Sequence, residues 1–332
     1  MSRVALVIGG TSGIGLATAL ALRSSGLWVF VASSNRDKVE AAVAALNAVQ
    51  ADTPPCGGCV IDVATPASVD IAFKGIAAAT GGVLHVLVCA AGIIARSAPE
   101  VEPLVAWDRV LSVNLTGAFI ACQRAFPLLR AAEGDRSIVL IASIGAHQAL
   151  SHATSYSVSK AGIVALARQL AIDWAAEGIR VNALSPGFVL TDINRDALTG
   201  TARGAAVLTR TPQGRFGTVD EVAAAAAFLA SPAGSFVTGS TLVADGGFTA
   251  AGLAFMPKPA HHEAPVVAES TAAHQVAPAA ALAMMPPAGG SPQEAAAPAP
   301  ASTTSEVPAS AVAVELAAAA APPTDAHVSV QA

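Results

Sequence analysis

The first 250 residues alternate between short runs of β-branched and other apolar residues and longer Ala- and Leu-rich stretches with helical periodicity. Strands that alternate with helices of this length form βαβ units around a parallel sheet. Near-continuous apolar strands such as residues 138–142 fit burial on both faces of that sheet. The pattern predicts an α/β domain with a doubly wound sheet of about seven strands. The predicted strands are 4–8, 28–32, 59–61, 83–89, 137–142, 180–183 and 241–243; the predicted helices are 14–25, 38–49, 66–79, 114–131, 155–177 and 219–230.

The composition changes near residue 250. Residues 251–332 contain 28 Ala and 12 Pro, and Phe255 is their only aromatic residue. Such a segment has few large side chains to bury, so burial cannot offset the entropy that ordering would cost. We therefore predict one folded domain over residues 1–250 and a disordered extension over residues 251–332. The net charge of −5 falls entirely in the extension, because residues 1–250 hold 17 basic and 17 acidic residues.

Charge and hydropathy exclude two classes of partner. A folded part with balanced charge lacks the basic surface of a nucleic-acid-binding protein. The chain is 53% hydrophobic, but its uncharged stretches at 76–95 and 223–244 are interrupted by Gly, and by His or Pro, rather than forming clean membrane spans. The apolar run at 4–8 is too short for a signal peptide. We expect a cytoplasmic protein that binds neither nucleic acid nor a membrane.

A glycine-rich turn joins the first predicted strand to the first predicted helix. Glycines there allow the backbone to approach a pyrophosphate, and the helix N-terminus offers free N–H groups. A glycine turn alone is a weak signal, but its place after the first strand of a βαβ series favours dinucleotide binding. The spacing is G-x-x-x-G-x-G rather than the commoner G-x-G-x-x-G. The expected cradle residues are Gly9, Thr11, Ser12, Gly13, Ile14 and Gly15.

The residues after the second strand bear on which dinucleotide is bound. An acidic residue there would bind the ribose 2′-hydroxyl of NAD, whereas this chain offers hydroxyls, an amide and a guanidinium, which suit a 2′-phosphate. We therefore expect NADP(H) to be favoured over NAD(H); the alternative is that Arg36 starts the next helix and faces solvent. Asp62 is placed either to accept a hydrogen bond from the adenine amino group or to cap the helix near residue 66. The residues assigned to the adenosine end are Ser33, Ser34, Asn35, Arg36 and Asp62.

The only tyrosine of the chain, Tyr156, stands four residues before Lys160. On a helix this spacing puts the phenol and the ammonium on one face. A free phenol has a pKa of about 10, and we expect the nearby cation to lower it, which would tune Tyr156 for proton transfer. Ser143 ends a buried strand 13 residues earlier, where its hydroxyl can reach a carbonyl held by Tyr156. An exposed Tyr–Lys pair without chemistry is the alternative.

Together these motifs resemble the short-chain dehydrogenase/reductase family across roughly all of residues 1–250. The resemblance implies a Rossmann-like sheet, a nicotinamide cofactor, a small carbonyl or secondary-alcohol substrate, and a homodimer or homotetramer. The motifs in family order are the glycine turn, Asp62-Val63, Cys89-Ala90-Ala91-Gly92, Asn114, Ser143, Tyr156, Lys160, Ile179-Arg180-Val181-Asn182, Pro186-Gly187 and Asp245-Gly246-Gly247.

The resemblance also implies residue roles. Tyr156 would exchange a proton with the substrate oxygen, and Ser143 would polarise and orient that oxygen. Lys160 would lower the pKa of Tyr156 and bind the nicotinamide ribose, while Asn114 would hold a water that links Lys160 to solvent. The remaining residues that the resemblance assigns to the cofactor are Val63, Ala91, Gly92, Pro186, Gly187, Val189 and Thr191, and no metal is expected.

Two positions depart from the family pattern. Ile8 stands where the family usually has Thr, and Cys89 stands where it usually has an Asn that braces the central sheet. Both changes remove polar partners from neighbouring places, so we hypothesise that they compensate. The pair Cys56 and Cys59 forms a lone C-x-x-C, for which packing is a better interpretation than a metal or redox site.

The substrate is predicted less sharply than the reaction. The loop at 144–152 carries His147 and Gln148, which could bind hydroxyls of a polyol or sugar acid, and the lid at 190–216 is rich in arginine. We weigh three functions: an oxidoreductase on a small polar sugar-acid or polyol-like substrate, a 3-oxoacyl-thioester reductase, and a dinucleotide-binding regulatory or scaffold protein. The lid residues that could bind an anion are Asn194, Arg195, Arg203, Arg210 and Arg215, each of which could equally be an exposed helix residue.

Overall fold

The computed structural model describes residues 2–49, 53–191 and 194–251. The extension predicted from residue 251 onward lies, except for its first residue, outside the described residues. Its interpretation as disordered, and the domain boundary near residue 250, stay predictions.

Seven parallel strands form one sheet in the order β3-β2-β1-β4-β5-β6-β7. The order reverses between β1 and β4, and a crevice at such a switch point is where doubly wound sheets bind ligands. The predicted doubly wound sheet of about seven strands is confirmed. The strands are β1 (Val4–Ile8), β2 (Trp28–Ser33), β3 (Gly57–Val60), β4 (Val86–Cys89), β5 (Arg136–Ile141), β6 (Ile179–Pro186) and β7 (Thr241–Ala244).

Helices cover both faces of the sheet. On one face α3, α5 and α6 pack around residues such as Leu87 and Ile138, and on the other α1, α2 and α9 pack around residues such as Val7 and Val88. Each central strand therefore buries both of its faces, which explains its continuous apolar sequence. The helices are α1 (Gly13–Ser24), α2 (Arg36–Ala48), α3 (Pro66–Thr80), α4 (Leu104–Leu111), α5 (Gly117–Ala131), α6 (Thr154–Asp173), α7 (Arg195–Leu198), α8 (Ala202–Arg210) and α9 (Val219–Ala230).

The helix predicted from residue 114 begins ten residues earlier. It runs from Leu104 to Ala131 and contains a π-helical segment, Ser112–Thr116, between α4 and α5. By length and composition alone it is apolar enough to cross a membrane. Its buried residues Cys122 and Ala125, however, belong to the core beside the sheet, so we interpret it as a core helix.

The two departures from the family pattern lie side by side. Ile8 on β1 and Cys89 on β4 are register partners, and both are buried in the apolar core. Cys89 also contacts Cys122 on α5. The structure thus puts apolar and thiol groups together where the family pattern has polar ones.

The C-x-x-C pair is not assembled into a site. Cys56 is buried and Cys59 lies in β3. Burial raises the pKa of the Cys59 thiol to about 11, which disfavours the reactive thiolate form. Among the described residues no group of three or more His, Cys, Asp or Glu side chains is placed to hold a metal.

Candidate active site

A cavity of about 740 Å³ lies at the carboxyl ends of the central strands. The segments that follow β1, β4, β5 and β6 form its floor, and α6 forms one wall. Ligands bind at this edge in doubly wound sheets. Of the residues assigned to cofactor or catalysis, those that line the cavity are Gly9, Thr11, Ser12, Gly13, Ile14, Gly15, Ser33, Ser34, Asn35, Asp62, Val63, Ala91, Gly92, Ser143, Tyr156, Lys160, Pro186, Gly187, Val189 and Thr191.

The glycine turn is packed too closely to admit side chains. Gly9 has a φ of +80°, and a Cβ there would lie 2.5 Å from the amide nitrogen of Ala91. A Cβ on Gly15 would overlap the carbonyl oxygen of Gly9. The N-cap of α1, Ser12, makes no side-chain cap bond, and the first turn carries no acidic residue. Free N–H groups without a competing carboxylate fit the pyrophosphate of a dinucleotide.

At the adenosine end the cation that lines the cavity is Lys38 and not Arg36. Asn35 caps α2, since its side chain accepts a hydrogen bond of 2.9 Å from the Lys38 amide. Arg36 is then the first helical residue. Two residues along a helix point about 200° apart, so Lys38 faces the cleft when Arg36 faces away. Arg36 is exposed and does not line the cavity, which favours the alternative that it starts the helix and faces solvent; its assignment to the cofactor stays a prediction.

Asp62 shapes the turn between β3 and α3. Its carboxylate accepts hydrogen bonds from the Ala64 amide at 3.0 Å and from the Thr65 hydroxyl at 3.2 Å. The N-cap of α3 is Thr65 rather than Asp62. Asp62 therefore fixes the turn ahead of the helix while still lining the cavity, where Arg109 approaches to 4.0 Å.

Ser143 and Tyr156 converge at the end of β5. The Ser143 hydroxyl accepts a hydrogen bond of 3.0 Å from the Gly145 amide. A Cβ built on Gly145 would lie 3.4 Å from both Ser143 Oγ and Tyr156 Cε1. The serine oxygen and the tyrosine ring thus flank one point of the cavity wall, where a substrate oxygen can meet both.

Burial dominates the titration of Tyr156. Desolvation raises the pKa of its phenol above the ordinary value, and the Ser143 hydroxyl and the Arg96 guanidinium lower it in part. The sequence predicted that Lys160 is the cation that lowers this pKa. In this structure the cation that acts on the phenol is Arg96, and the net direction is upward.

Lys160 is buried beneath the phenol. It is 4% exposed, its Nζ donates a hydrogen bond of 2.7 Å to the Ile141 carbonyl, and it lies 5.9 Å from the centre of the Tyr156 ring. Burial lowers the pKa of Lys160 to about 8. The side chain is held in place, but its charge is costly at neutral pH.

We expect Lys160→Met to remove a pH dependence of stability. In the folded protein Lys160 loses its proton near pH 8, whereas in the unfolded chain it does so near pH 10.4. Between these values the unfolded chain binds the extra proton, so stability rises with pH. In the wild type the free energy of unfolding should increase by about 2 kcal/mol from pH 7 to pH 9.5 because of Lys160. In the variant this increase should be absent. Urea denaturation at the two pH values measures both.

The matched control is Lys74→Met, which removes an exposed lysine from α3. It should keep the wild-type rise with pH. Equal pH profiles for wild type and Lys160→Met would show that the ammonium carries no burial cost.

Asn114 occupies the π-helical segment and does not line the cavity. Its amide oxygen accepts a hydrogen bond of 2.8 Å from the Ile93 amide, and its amide nitrogen donates to the Ile93 carbonyl and to Ser159 Oγ. A Cβ on Gly92 would lie 3.4 Å from both Asn114 Oδ1 and Lys160 Nζ. Asn114 thus fixes the β4–α4 loop beside Lys160, a local role that π segments often serve at functional sites.

Two substrate-loop residues predicted to bind hydroxyls lie outside the cavity. His147 Nε2 is 2.9 Å from Ser185 Oγ, and the Gln148 amide donates to the Thr249 carbonyl at 3.2 Å. Both side chains fasten the 144–152 loop to β6 and to the segment after β7. The expectation that they face the substrate is corrected.

The lid residues differ in whether they line the cavity. Asn194 and Arg203 line the cavity, whereas Arg195 does not. Arg210 stacks 4.7 Å over the Phe248 ring, and Arg215 pairs with Glu221. Two of the four lid arginines therefore have structural roles, and Arg203 lines the site.

Arg96 is a site residue that the sequence analysis missed. It lies in the loop after β4, lines the cavity and lowers the pKa of Tyr156. The available signal was its position four residues past Gly92, as the only Lys or Arg between Lys74 and Arg109.

Comparison with known proteins agrees with this geometry. Residues 9–249 match the family model described as enoyl-(acyl carrier protein) reductase. A D-threitol dehydrogenase of Mycolicibacterium smegmatis is 41% identical over 248 residues, which cover 74% of this chain and 93% of the relative. A cis-4-hydroxycyclohexanecarboxylate dehydrogenase of Sinomonas cyclohexanicum is 40% identical over 249 residues, covering 75% and 97%.

Among solved structures, a variant actinorhodin polyketide ketoreductase with NADPH superimposes with a TM-score of 0.69 at 32% identity, covering 75% of this chain and 97% of that one. The family match covers residues 9–249, which include the glycine turn and all of the sheet except β1. The chain belongs to the short-chain dehydrogenase/reductase family and is an oxidoreductase that acts on alcohol or carbonyl groups.

Proposed function

We propose that this enzyme transfers a hydride between NADP(H) and a secondary alcohol or ketone of a small polar substrate. The observation that carries the proposal is the convergence of Ser143, Tyr156 and Lys160 on one wall of a cleft that continues into the glycine cradle. The two relatives named above carry in their names a polyol and a hydroxy acid, both small polar alcohols. These names support the same substrate class here.

In this mechanism a bound nicotinamide supplies or accepts the hydride at the carbon of the substrate. Tyr156 gives a proton to the carbonyl oxygen during reduction and takes one from the hydroxyl during oxidation. Ser143 donates a hydrogen bond to the same oxygen and orients it. Lys160, held by the Ile141 carbonyl, is placed beneath Tyr156 to bind the cofactor ribose, and Asn114 positions the loop beside Lys160.

The residues at the adenosine end support NADP(H) over NAD(H). Ser33 and Ser34 offer hydroxyls, Lys38 adds a cation, and no acidic side chain follows β2 before α2 begins. A 2′-phosphate pairs well with an ammonium and hydroxyl donors. A structural neighbour with NADPH supports the same choice.

A 3-oxoacyl-thioester reductase is the second candidate. It is favoured by the description of the matching family model and by the polyketide ketoreductase among the structural neighbours. The scaffold hypothesis loses its motivation, because the relatives are named as enzymes and the cleft keeps its acid–base side chains.

A substrate panel separates the two candidates. We expect oxidation of D-threitol, gluconate or cis-4-hydroxycyclohexanecarboxylate with NADP⁺ to exceed, in kcat/KM, the reduction of acetoacetyl thioesters with NADPH, as followed at the NADPH absorbance band. Turnover of the thioesters alone would favour the second candidate, and turnover of nothing in the panel would contradict the first.

The cofactor arm of this experiment uses Lys38→Glu. An acidic side chain here would repel a 2′-phosphate, so the NADP⁺ to NAD⁺ ratio of kcat/KM should fall by about tenfold or more. Arg36→Glu is the matched control, since Arg36 is a neighbouring cation outside the cavity. An equal fall in this ratio for both variants would show that Lys38 does not bind the 2′-phosphate.

We also propose that the chain assembles as a homodimer or homotetramer. Leu104, Val105 and Ile172 are each more than 75% exposed, although they lie on α4 and α6 beside the core. Exposed apolar side chains of this size on neighbouring helices indicate an interaction surface.

A further inference from the structure

Two guanidinium groups from different elements line the substrate end of the cavity. Arg96 extends from the loop after β4, and Arg203 from the first turn of α8. The backbone beneath each is fixed: the Ser97 amide donates to the His152 carbonyl at 3.1 Å, and the Thr201 hydroxyl caps α8 by accepting from the Gly204 amide at 3.0 Å. Both cations are therefore presented on anchored backbone.

The two cations repel each other across the cavity. Burial and the nearby Arg203 charge together lower the pKa of Arg96. Within the described residues neither arginine forms an ion pair with a carboxylate. Six other arginines do, and they are Arg3, Arg109, Arg124, Arg130, Arg180 and Arg215. Like charges that share a cavity are unfavourable until an anion enters between them.

Apolar side chains line the same cavity as these cations and the reaction centre. Ile94, Leu150, Phe188 and Leu198 line the same cavity. Arg96 is also close enough to Tyr156 for its charge to act on the phenol. The cavity thus combines the hydrogen-bonding groups of Ser143 and Tyr156, apolar walls and two cations.

We propose that Arg96 and Arg203 bind the carboxylate of a hydroxy-acid or keto-acid substrate, whose secondary hydroxyl or ketone then lies at Ser143 and Tyr156. A guanidinium matches a carboxylate with two parallel hydrogen bonds. The cofactor phosphates do not compete for this pair, because the glycine cradle around Gly9 already fits them. This inference rests on the proposed oxidoreductase function and specifies its substrate class.

The test measures binding rather than turnover. Isothermal titration calorimetry on the full chain saturated with NADPH compares cyclohexanecarboxylate with its uncharged isostere, cyclohexanecarboxamide. We expect the wild type to bind the carboxylate at least about tenfold more tightly. Arg96→Gln and Arg203→Gln should each remove most of that preference, and the double variant should bind the two compounds equally.

Arg195→Gln is the matched control, since Arg195 is an exposed lid arginine that does not line the cavity. It should keep the wild-type preference. Equal affinity of the wild type for the two compounds, or binding of neither, would overturn the proposal. The wild type could show a carboxylate preference that depends on Arg96 and yet turn over no panel substrate; the anion site would then stand and the proposed function would fail. It could instead turn over D-threitol and show no carboxylate preference; the proposed function would then stand and the anion site would fail.

Discussion

Tyr156→Phe is expected to lower kcat about 1,000-fold on the best substrate of the panel. The substitution removes one oxygen atom from a half-buried side chain and keeps the ring that packs beside Gly145. The lost group is the proposed proton donor, and neighbouring Ser143 cannot replace it, because a free serine hydroxyl is far too weak an acid. Steady-state kinetics in both reaction directions measure the effect.

Cofactor affinity separates chemistry from folding in this experiment. NADPH should bind the variant within about threefold of the wild-type affinity, since the glycine cradle is untouched. Because Tyr156 is the only tyrosine, the variant also loses every phenolate signal in an alkaline difference spectrum. A variant that retains full turnover would exclude Tyr156 as the acid–base group.

Gly15→Ala is expected to abolish measurable NADPH binding and to lower the free energy of unfolding by about 3 kcal/mol or more. A Cβ at this position would overlap the Gly9 carbonyl oxygen, which is backbone and cannot rotate away. The turn must therefore open, at a cost typical of overpacking or larger. Fluorescence titration with NADPH and urea denaturation measure the two effects.

Gly75→Ala is the matched control for that substitution. Gly75 is an exposed residue inside α3, and a Cβ there meets nothing within 4 Å. The same chemical change should stabilise the protein by about 1 kcal/mol, because alanine favours the helix over glycine. Equal effects of the two substitutions would mean that the cradle is not tightly packed.

Periodicity predicted the sheet well because the central strands are buried on both faces and consist almost entirely of apolar residues. It missed α4, where Leu104 and Val105 are exposed, so the apolar residues do not mark the buried face. The π segment at Ser112–Thr116 was equally hidden, since one extra residue in a helical turn leaves no compositional trace. Helix α8 in the lid was not among the predicted helices for a similar reason, because it buries only Gly204 and Val207.

The catalytic wall was predictable because Ser143, Tyr156 and Lys160 sit in short motifs with fixed spacing. The cationic end of the cleft was not, because Arg96 and Arg203 are more than 100 residues apart in sequence and are brought together only by the tertiary fold. Lys38 was missed for a subtler reason. Its direction depends on where α2 begins, and the helix boundary differs from the predicted one by two residues.

The strand order has a kinetic consequence. β1 cannot complete its pairing until β4 is present, since Ala5 pairs with Val86. The glycine cradle is in turn flanked by Ala91 beside Gly9 and by Thr191 beside Gly13. Pairings between residues this distant in sequence cost loop-closure entropy and slow folding. A chain that is still being synthesised on the ribosome therefore has no complete nucleotide site until residue 191 has emerged and folded into place. A dinucleotide that binds only this complete site stabilises the folded enzyme by mass action.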